Sequence, residues 1–164
     1  MEPATEEQIR AAMANCSRGE AADLVLPDLK RTDWTELDYL GWRDPRSRLR
    51  GCLVHWRDDR LIGVVLRAPD SGVRRPAAMC LLCETVRQSN EIALFTARKA
   101  GAAGRRGDSV GTYICADLNC SAQVRTTPPG RAAPDEAVVI LRSAALMTKV
   151  YGFTAAVLGE APSG

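Results

Sequence analysis

Met79-Cys80-Leu81-Leu82-Cys83 and, further along, Tyr113-Ile114-Cys115-Ala116-Asp117-Leu118-Asn119-Cys120 are the stretches that decide the fold. The first holds a C-x-x-C tight turn, which points two thiolates at one place. The second holds a C-x4-C pair. Together the four sulfurs make a tetrahedral set of the kind Zn²⁺ prefers. The intervening segment, Glu84 to Ile114, is long enough for a hairpin. Buried inert thiols, a disulfide pair and a thioredoxin-like redox site are the rival readings. Two separate pairs at ligand spacing favour metal over all three, and a redox motif leaves the second pair without a role. The start, "MEPATEEQIRAAM", lacks the apolar core of a secretory leader, so a cytoplasmic location and metal-bound thiols are expected in place of crosslinks.

A knuckle, a hairpin and a second pair entering a helix form the plan of a treble-clef zinc finger. The site expected is Cys80, Cys83, Cys115 and Cys120 around Zn²⁺. An all-cysteine set is closed, whereas catalytic zinc keeps a position open for water, so structural metal and no enzyme activity are expected. With His55 as the only histidine, neither a histidine-based triad nor a histidine-rich metal site is expected; it is read as a strand residue beside Trp56. Cys16 and Cys52 read as small core fillers.

The remaining chain reads as α+β: an antiparallel sheet with flanking helices around the finger. One domain is expected over 1–160, with the zinc subdomain at 76–127 inside it. Thr5 and Gln8 make a capping box, and Ile9, Ala12, Met13 and Cys16 follow at helical spacing, predicting a helix from Glu6 to Cys16 that Gly19 ends or interrupts. Trp34, Leu37, Tyr39, Leu40 and Trp42 read as core anchors. Cys52–Arg57 and Leu61–Arg67 flank Asp58-Asp59 as a hairpin. Ala68-Pro69-Asp70-Ser71-Gly72 breaks the second strand. Ile92–Lys99 and Val110–Ile114 are the zinc hairpin, and "AGAAGRRGD" (Ala100 to Asp108) between them reads as a mobile basic loop tip. Thr127-Pro128-Pro129-Gly130 ends the segment after the second pair. Pro134, at the first helical position, opens a last helix on which Val138, Leu141, Ala145, Thr148 and Gly152 trace one stripe, with Ile140, Met147, Val150 and Val157 nearby, and which is expected to pack on the sheet. No apolar run reads as long enough to span a bilayer, and the tail from Gly159 is expected to fray.

Net charge is only +2, but it is unevenly spread. Residues 68–131 carry nine Lys/Arg against five acids, an excess that falls on the zinc segment. Part of it offsets the negative charge of four thiolates; the rest suits an anionic partner such as RNA or an acidic protein surface. The glycines of "AGAAGRRGD" match neither a dinucleotide fingerprint nor a P-loop, so no small-molecule substrate is expected.

"LDYLGWRDP" (Leu37 to Pro45), "MCLLC" and "ARKAGAAGRRGDSVGTYICADLNCS" (Ala97 to Ser121) resemble the FBP-type treble-clef zinc-finger domain of elongation factor G-binding proteins, to which the fusidic-acid-resistance proteins belong. The resemblance spans about Glu6 to Tyr151. It implies a zinc-dependent protein-binding module that acts on elongation factor G, and so at the ribosome, without making or breaking a bond. On this resemblance the four cysteines match the family's zinc ligands. Phe95 and Tyr113 match aromatic positions that reach the partner, and Arg98, Lys99, Arg105 and Arg106 supply electrostatic guidance. Resistance proteins of the family carry a further helical N-terminal domain, for which this chain is too short. The alternative is an RNA- or DNA-binding finger using the basic loop at 98–106. A thiol redox sensor comes third.

Overall fold

The computed structural model describes residues 1–68, 77–88, 90–127 and 132–160. A five-stranded antiparallel sheet has the order β1 (Leu40–Arg43), β2 (Arg50–Arg57), β3 (Arg60–Arg67), β6 (Ile92–Arg98), β7 (Ser109–Cys115). The two-residue strands β4 (Ala78–Met79) and β5 (Val86–Arg87) form a separate hairpin between β3 and β6. The expected break at Pro69 to Gly72, and Pro128, Pro129 and Gly130, lie outside the described residues.

Two hairpins build the sheet. In β2–β3, Arg50 pairs with Arg67 and Arg57 with Arg60, and Asp58 takes the tight turn at φ 52°. In β6–β7, Ile92 pairs with Cys115 and Arg98 with Ser109. They meet at one registered pair, Arg67 opposite Thr96. Asn15 fills the gap beside it. Its side-chain amide donates to Val65 O and Arg98 O, both at 2.9 Å, and its oxygen accepts from Val65 N–H at 2.8 Å. One asparagine thus satisfies backbone groups that a continued ladder would otherwise pair.

Side chains alternate between two cores. On one face Leu40, Trp42, Cys52 and Val54 pack against Ile9, Met13, Ala21 and Leu24. These come from α1 (Glu6–Ala12), α2 (Arg18–Ala22) and their flanks. On the other face Tyr39, Leu53, Leu66, Phe95 and Ile114 pack against Leu146, Val150, Phe153 and Val157 of α5 (Glu136–Leu158).

The capping box of α1 forms as expected, but the helix stops at Ala12 instead of reaching Cys16. Met13 turns extended and bridges Gly63, and Ala14 N–H donates to Gly63 O at 2.9 Å. The free edge of β3 outbids helix propensity there. A second capping box, Ser17 with Glu20, then starts α2, so Gly19 lies inside a helix. In α5 the cap is Asp135, whose side chain accepts from Val138 N–H at 2.8 Å, and Pro134 lies before it. The inward stripe of α5 is Leu146, Val150, Phe153 and Val157; Leu141 is 70% exposed. Apolar residues lie nearly all round this helix, so spacing alone does not select the buried side. For the same reason α5 is, by length and composition, apolar enough to cross a bilayer, against the sequence expectation. In the fold its C-terminal half packs on the sheet and ends on Gly159 at φ 75°.

Candidate metal centre and the face beside it

Each cysteine pair sits in a short turn held by backbone hydrogen bonds. In the first, Cys80 N–H donates to Thr85 O at 3.0 Å and Glu84 N–H to Cys80 O at 2.9 Å. Glu84 closes the loop at φ 57°. In the second, Cys115 ends β7, Leu118 N–H donates to Cys115 O at 2.9 Å, and Leu118 adopts φ 61°. Cys120 opens α4 (Cys120–Val124), so the helix delivers only the last of the four sulfurs, and the strand delivers its partner. Leu81 N–H donates to Tyr113 O at 2.7 Å, tying the first knuckle to β7 two residues before Cys115.

All four Sγ atoms lie within 4.8 Å of one another. Cys80 to Cys120 and Cys83 to Cys115 are both 3.6 Å. A disulfide needs about 2.05 Å, so none is formed; all six cysteines are free. Sulfurs at about 2.3 Å from a tetrahedral zinc lie about 3.8 Å apart, close to the two separations seen. The donor set is sulfur only and largely buried, and Cys83 N–H donates to Cys80 Sγ at 3.4 Å, as amides do toward thiolates. The residues therefore fit a tetrahedral thiophilic cation. Hydrogen bonds from Cys115 and Cys120 draw the Cys80 thiol down to about 7. Bonds from Cys115, Cys120 and Cys80 likewise draw Cys83 down, while Cys120 is pushed up by the same neighbours. Cys115, like Cys120, is pushed up by its sulfur neighbours, so the crowded set does not carry four negative charges without a cation.

The support around the cluster was not evident from spacing. Buried Tyr39 accepts a hydrogen bond from Cys120 N–H at its hydroxyl, 3.4 Å away. Ser121 Oγ accepts from Asp38 N–H at 3.0 Å, and Arg125 forks onto Asp38 at 2.6 and 3.3 Å. Leu118 is fully buried against β1 and β2. A Cβ on Gly41 would lie 2.3 Å from Leu118 O, and one on Gly51 would lie 2.6 Å from Leu118 Cδ1. These two glycines admit the second knuckle to the sheet. The "LDYLG" run therefore serves the cysteine cluster directly. Lys149 of α5 pairs with Glu84 of the first knuckle at 2.5 Å.

Of the residues expected to meet a partner, Phe95 is placed otherwise. It is fully buried on the α5 face of the sheet, with the Arg43 guanidinium 5.0 Å from its ring centroid, and so it is a core residue. Tyr113 is 37% exposed on the opposite face, paired across the hairpin with Leu94. Arg98 shares that face four residue pairs along and is exposed. Lys99 is half-buried. Arg105 and Arg106 are exposed at the hairpin tip, Arg106 pairing with Asp108 at 3.7 Å. That tip is not a loose loop. Residues Gly101–Arg105 form a turn of helix, α3. It is fastened by Ala100 N–H to Val157 O at 2.8 Å and Lys99 N–H to Asp108 O at 2.9 Å. A Cβ on Gly104 would fall 1.7 Å from Lys99 O, so the glycine is what lets the turn close.

Sequence reasoning missed Met79, Leu81 and Val86, apolar residues left exposed around the first knuckle; Val86 is 68% exposed. Leu81 and Leu82 look alike in "MCLLC", yet Leu82 enters the core and Leu81 faces out. Cys16 and Cys52 lie with the α1–α2 core, away from the four-sulfur cluster. His55 is fully buried in β2, its Nε2 3.0 Å from Thr154 Oγ1 and its Nδ1 3.2 Å from Trp56 O. Since a carbonyl only accepts, Nδ1 carries the proton, and burial holds the ring's pKa below its usual value.

A search of the curated proteins returns no match to the chain. Among solved structures, the fusidic acid resistance protein FusC is similar in fold, with TM-score 0.55 and 23% identity over 74% of this chain. The likeness covers 52% of FusC, so this chain spans about half the length of that relative. The model of the FBP C-terminal treble-clef zinc-finger family matches residues 8–157, and the cysteine cluster is the one such a finger requires. The chain therefore belongs to the FBP C-terminal treble-clef zinc-finger family.

Proposed function

We propose that the protein is a non-enzymatic, zinc-bearing interaction module that docks on translation elongation factor G. Cys80, Cys83, Cys115 and Cys120 would hold one Zn²⁺, whose role is to fix the two knuckles against β7. The observation that carries the reading is that this closed all-sulfur cluster braces a mostly exposed face. Tyr113, Leu81, Met79 and Val86 lie next to the sulfurs, and Arg98 lies farther along the same hairpin face. An aromatic among apolar side chains with a charge at the rim is the composition of an interface core. Fold likeness to a fusidic acid resistance protein and membership of the family support this choice of partner. Free thiols in every position suit a reducing, cytoplasmic setting.

Calorimetry of the zinc-loaded chain against purified elongation factor G tests the reading. Tyr113→Ala and Leu81→Ala are expected to weaken binding at least about tenfold with one zinc per chain retained. If both variants bind the factor as wild type does, this face is not the interface. Exposed Arg98, Arg105 and Arg106 favour nucleic acid as the second reading. Binding of an oligonucleotide that weakens steeply with salt, with no binding to the factor, would select it.

A further inference from the structure

One end of the sheet carries a row of like charges. Arg50 of β2 stands directly opposite Arg67 of β3, and Arg67 opposite Thr96 of β6. Arg98 follows Thr96 by two residues and stands opposite Ser109 of β7. Directly paired residues, and residues two apart on a strand, share one face. Three arginines and two hydroxyls therefore line the same face across four strands. Toward the sheet's middle this is the face that α1 and α2 cover; past Val65 the cover stops. The opening left there is a cleft of about 530 Å³. Leu24, Leu49 and Val65 give it an apolar wall, and Glu20 and Asp23 of the α2 side close its far edge.

Like charges placed directly opposite one another destabilise a sheet, and among the described residues ion pairs do little here to neutralise them. Arg50 has one ion pair, with Asp44 at 3.4 Å. Among the described residues no carboxylate lies within ion-pair distance of the Arg67 or Arg98 guanidinium, although Arg98 is near enough to influence Glu20. Glu20 accepts Ser17 N–H at 2.8 Å in its capping box and keeps its charge, so it offsets Arg98 and Arg50 at a distance without forming an ion pair with either. Among the described residues no ion pair accounts for Arg67 and Arg98 being gathered here.

We propose that this cleft binds a compact organic phosphate, its phosphate held between Arg67 and Arg98 with Arg50, Thr96 and Ser109 around it. Guanidinium forks match phosphate oxygens two at a time; Ser109 supplies a hydroxyl donor, while the Thr96 hydroxyl already donates to Arg67 O at 3.2 Å and only lines the site. The volume lies within the roughly 300–1,000 Å³ of small-molecule sites, and the leucine wall suits the carbon part of such a ligand. An extended polyanion would meet Glu20 and Asp23, so the occupant is small. Ser109 and Cys115 are the two ends of β7, about 20 Å apart at strand rise, which makes the cleft independent of the cysteine cluster.

Titration calorimetry and thermal unfolding of the zinc-loaded full chain with pyrophosphate as probe test the proposal. Wild type is expected to bind one pyrophosphate saturably and to unfold at a higher temperature with it. The double variant Arg67→Gln, Arg98→Gln is expected to lose at least about tenfold in affinity. Without ligand it should unfold at or above the wild-type temperature with its zinc intact, because a repulsion has been removed; a purely structural pair of arginines would give the opposite shift. Arg105→Gln with Arg106→Gln, outside the cleft, should leave pyrophosphate binding unchanged. Absence of binding by wild type, or equal binding by the Arg67/Arg98 double variant, overturns the site. A single-stranded oligonucleotide that displaces pyrophosphate at lower concentration overturns the compact ligand.

Discussion

Gly41→Ala adds one methyl group some distance from any cysteine, yet it is expected to loosen the metal centre. The new Cβ would lie 2.3 Å from Leu118 O and 2.8 Å from Tyr39 Cε2. Relief to an ordinary tight contact of about 3.2 Å needs a shift of about 0.9 Å, and the atom that must yield is backbone, not a flexible side-chain end. Leu118 sits at φ 61° between Cys115 and Cys120, so the displaced segment is the second knuckle itself. Tyr39, the other neighbour, accepts from Cys120 N–H and cannot retreat without releasing that bond. Overpacking of this kind costs about 2 kcal/mol, about thirtyfold in a linked binding constant. Two measurements read it: zinc transfer to a competing chromogenic chelator, and thermal unfolding of the loaded protein. Gly152→Ala is the matched control, because a Cβ there meets nothing within 4 Å and the position lies mid-helix in α5. That variant should gain about 0.5–1 kcal/mol with unchanged zinc transfer. If Gly41→Ala surrenders zinc no faster than wild type and unfolds at the same temperature, the coupling of β1 to the cysteine cluster is refuted.

Asn15→Ala should cost about 1–3 kcal/mol by orphaning groups of Val65 and Arg98, with zinc content unchanged; equal denaturation midpoints would show that water replaces the amide fully. His55 is the only histidine, so its ring protons can be followed unambiguously by NMR. Its folded pKa should lie below the usual 6.5 or so, since burial disfavours the cation. The unfolded chain then binds the proton more readily, so this contribution to stability is present above about pH 6.5 and is lost as pH falls through the lower folded value. His55→Gln should flatten that part of the pH profile, and an unchanged slope would remove His55 as its source. Phe95→Ala should destabilise the fold by about 3–5 kcal/mol. Tyr113→Ala, at a residue 37% exposed, should destabilise the fold less, and equal destabilisation by the two would contradict the faces assigned to them.

The elements that spacing predicted well were those governed by local rules. The β2–β3 and β6–β7 hairpins, the Thr5 capping box and the gathering of Cys80, Cys83, Cys115 and Cys120 all follow from alternation, turn residues or motif geometry. What escaped depended on distant parts of the chain. The early end of α1 requires Gly63, fifty residues on, to offer its carbonyl to Ala14 N–H. Phe95 and Tyr113 lie on opposite faces because their strand parity is opposite across β6–β7, which the aromatic pattern alone does not show. The basic tip reads as loose by composition, but Val157 O and Lys99 O decide its shape from outside it. The arginine row arises from cross-strand register and has no signature in any one segment.

The single registered pair between β3 and β6 has a mechanical consequence. Beyond that seam, and the asparagine that darns it, the two hairpins share no ladder and are joined through the side chains they both bury on α5, so backbone pairing in one can fray without unzipping the other. Amide exchange should accordingly sort the strands into two cooperative blocks, with the protons at the seam setting the threshold at which they part.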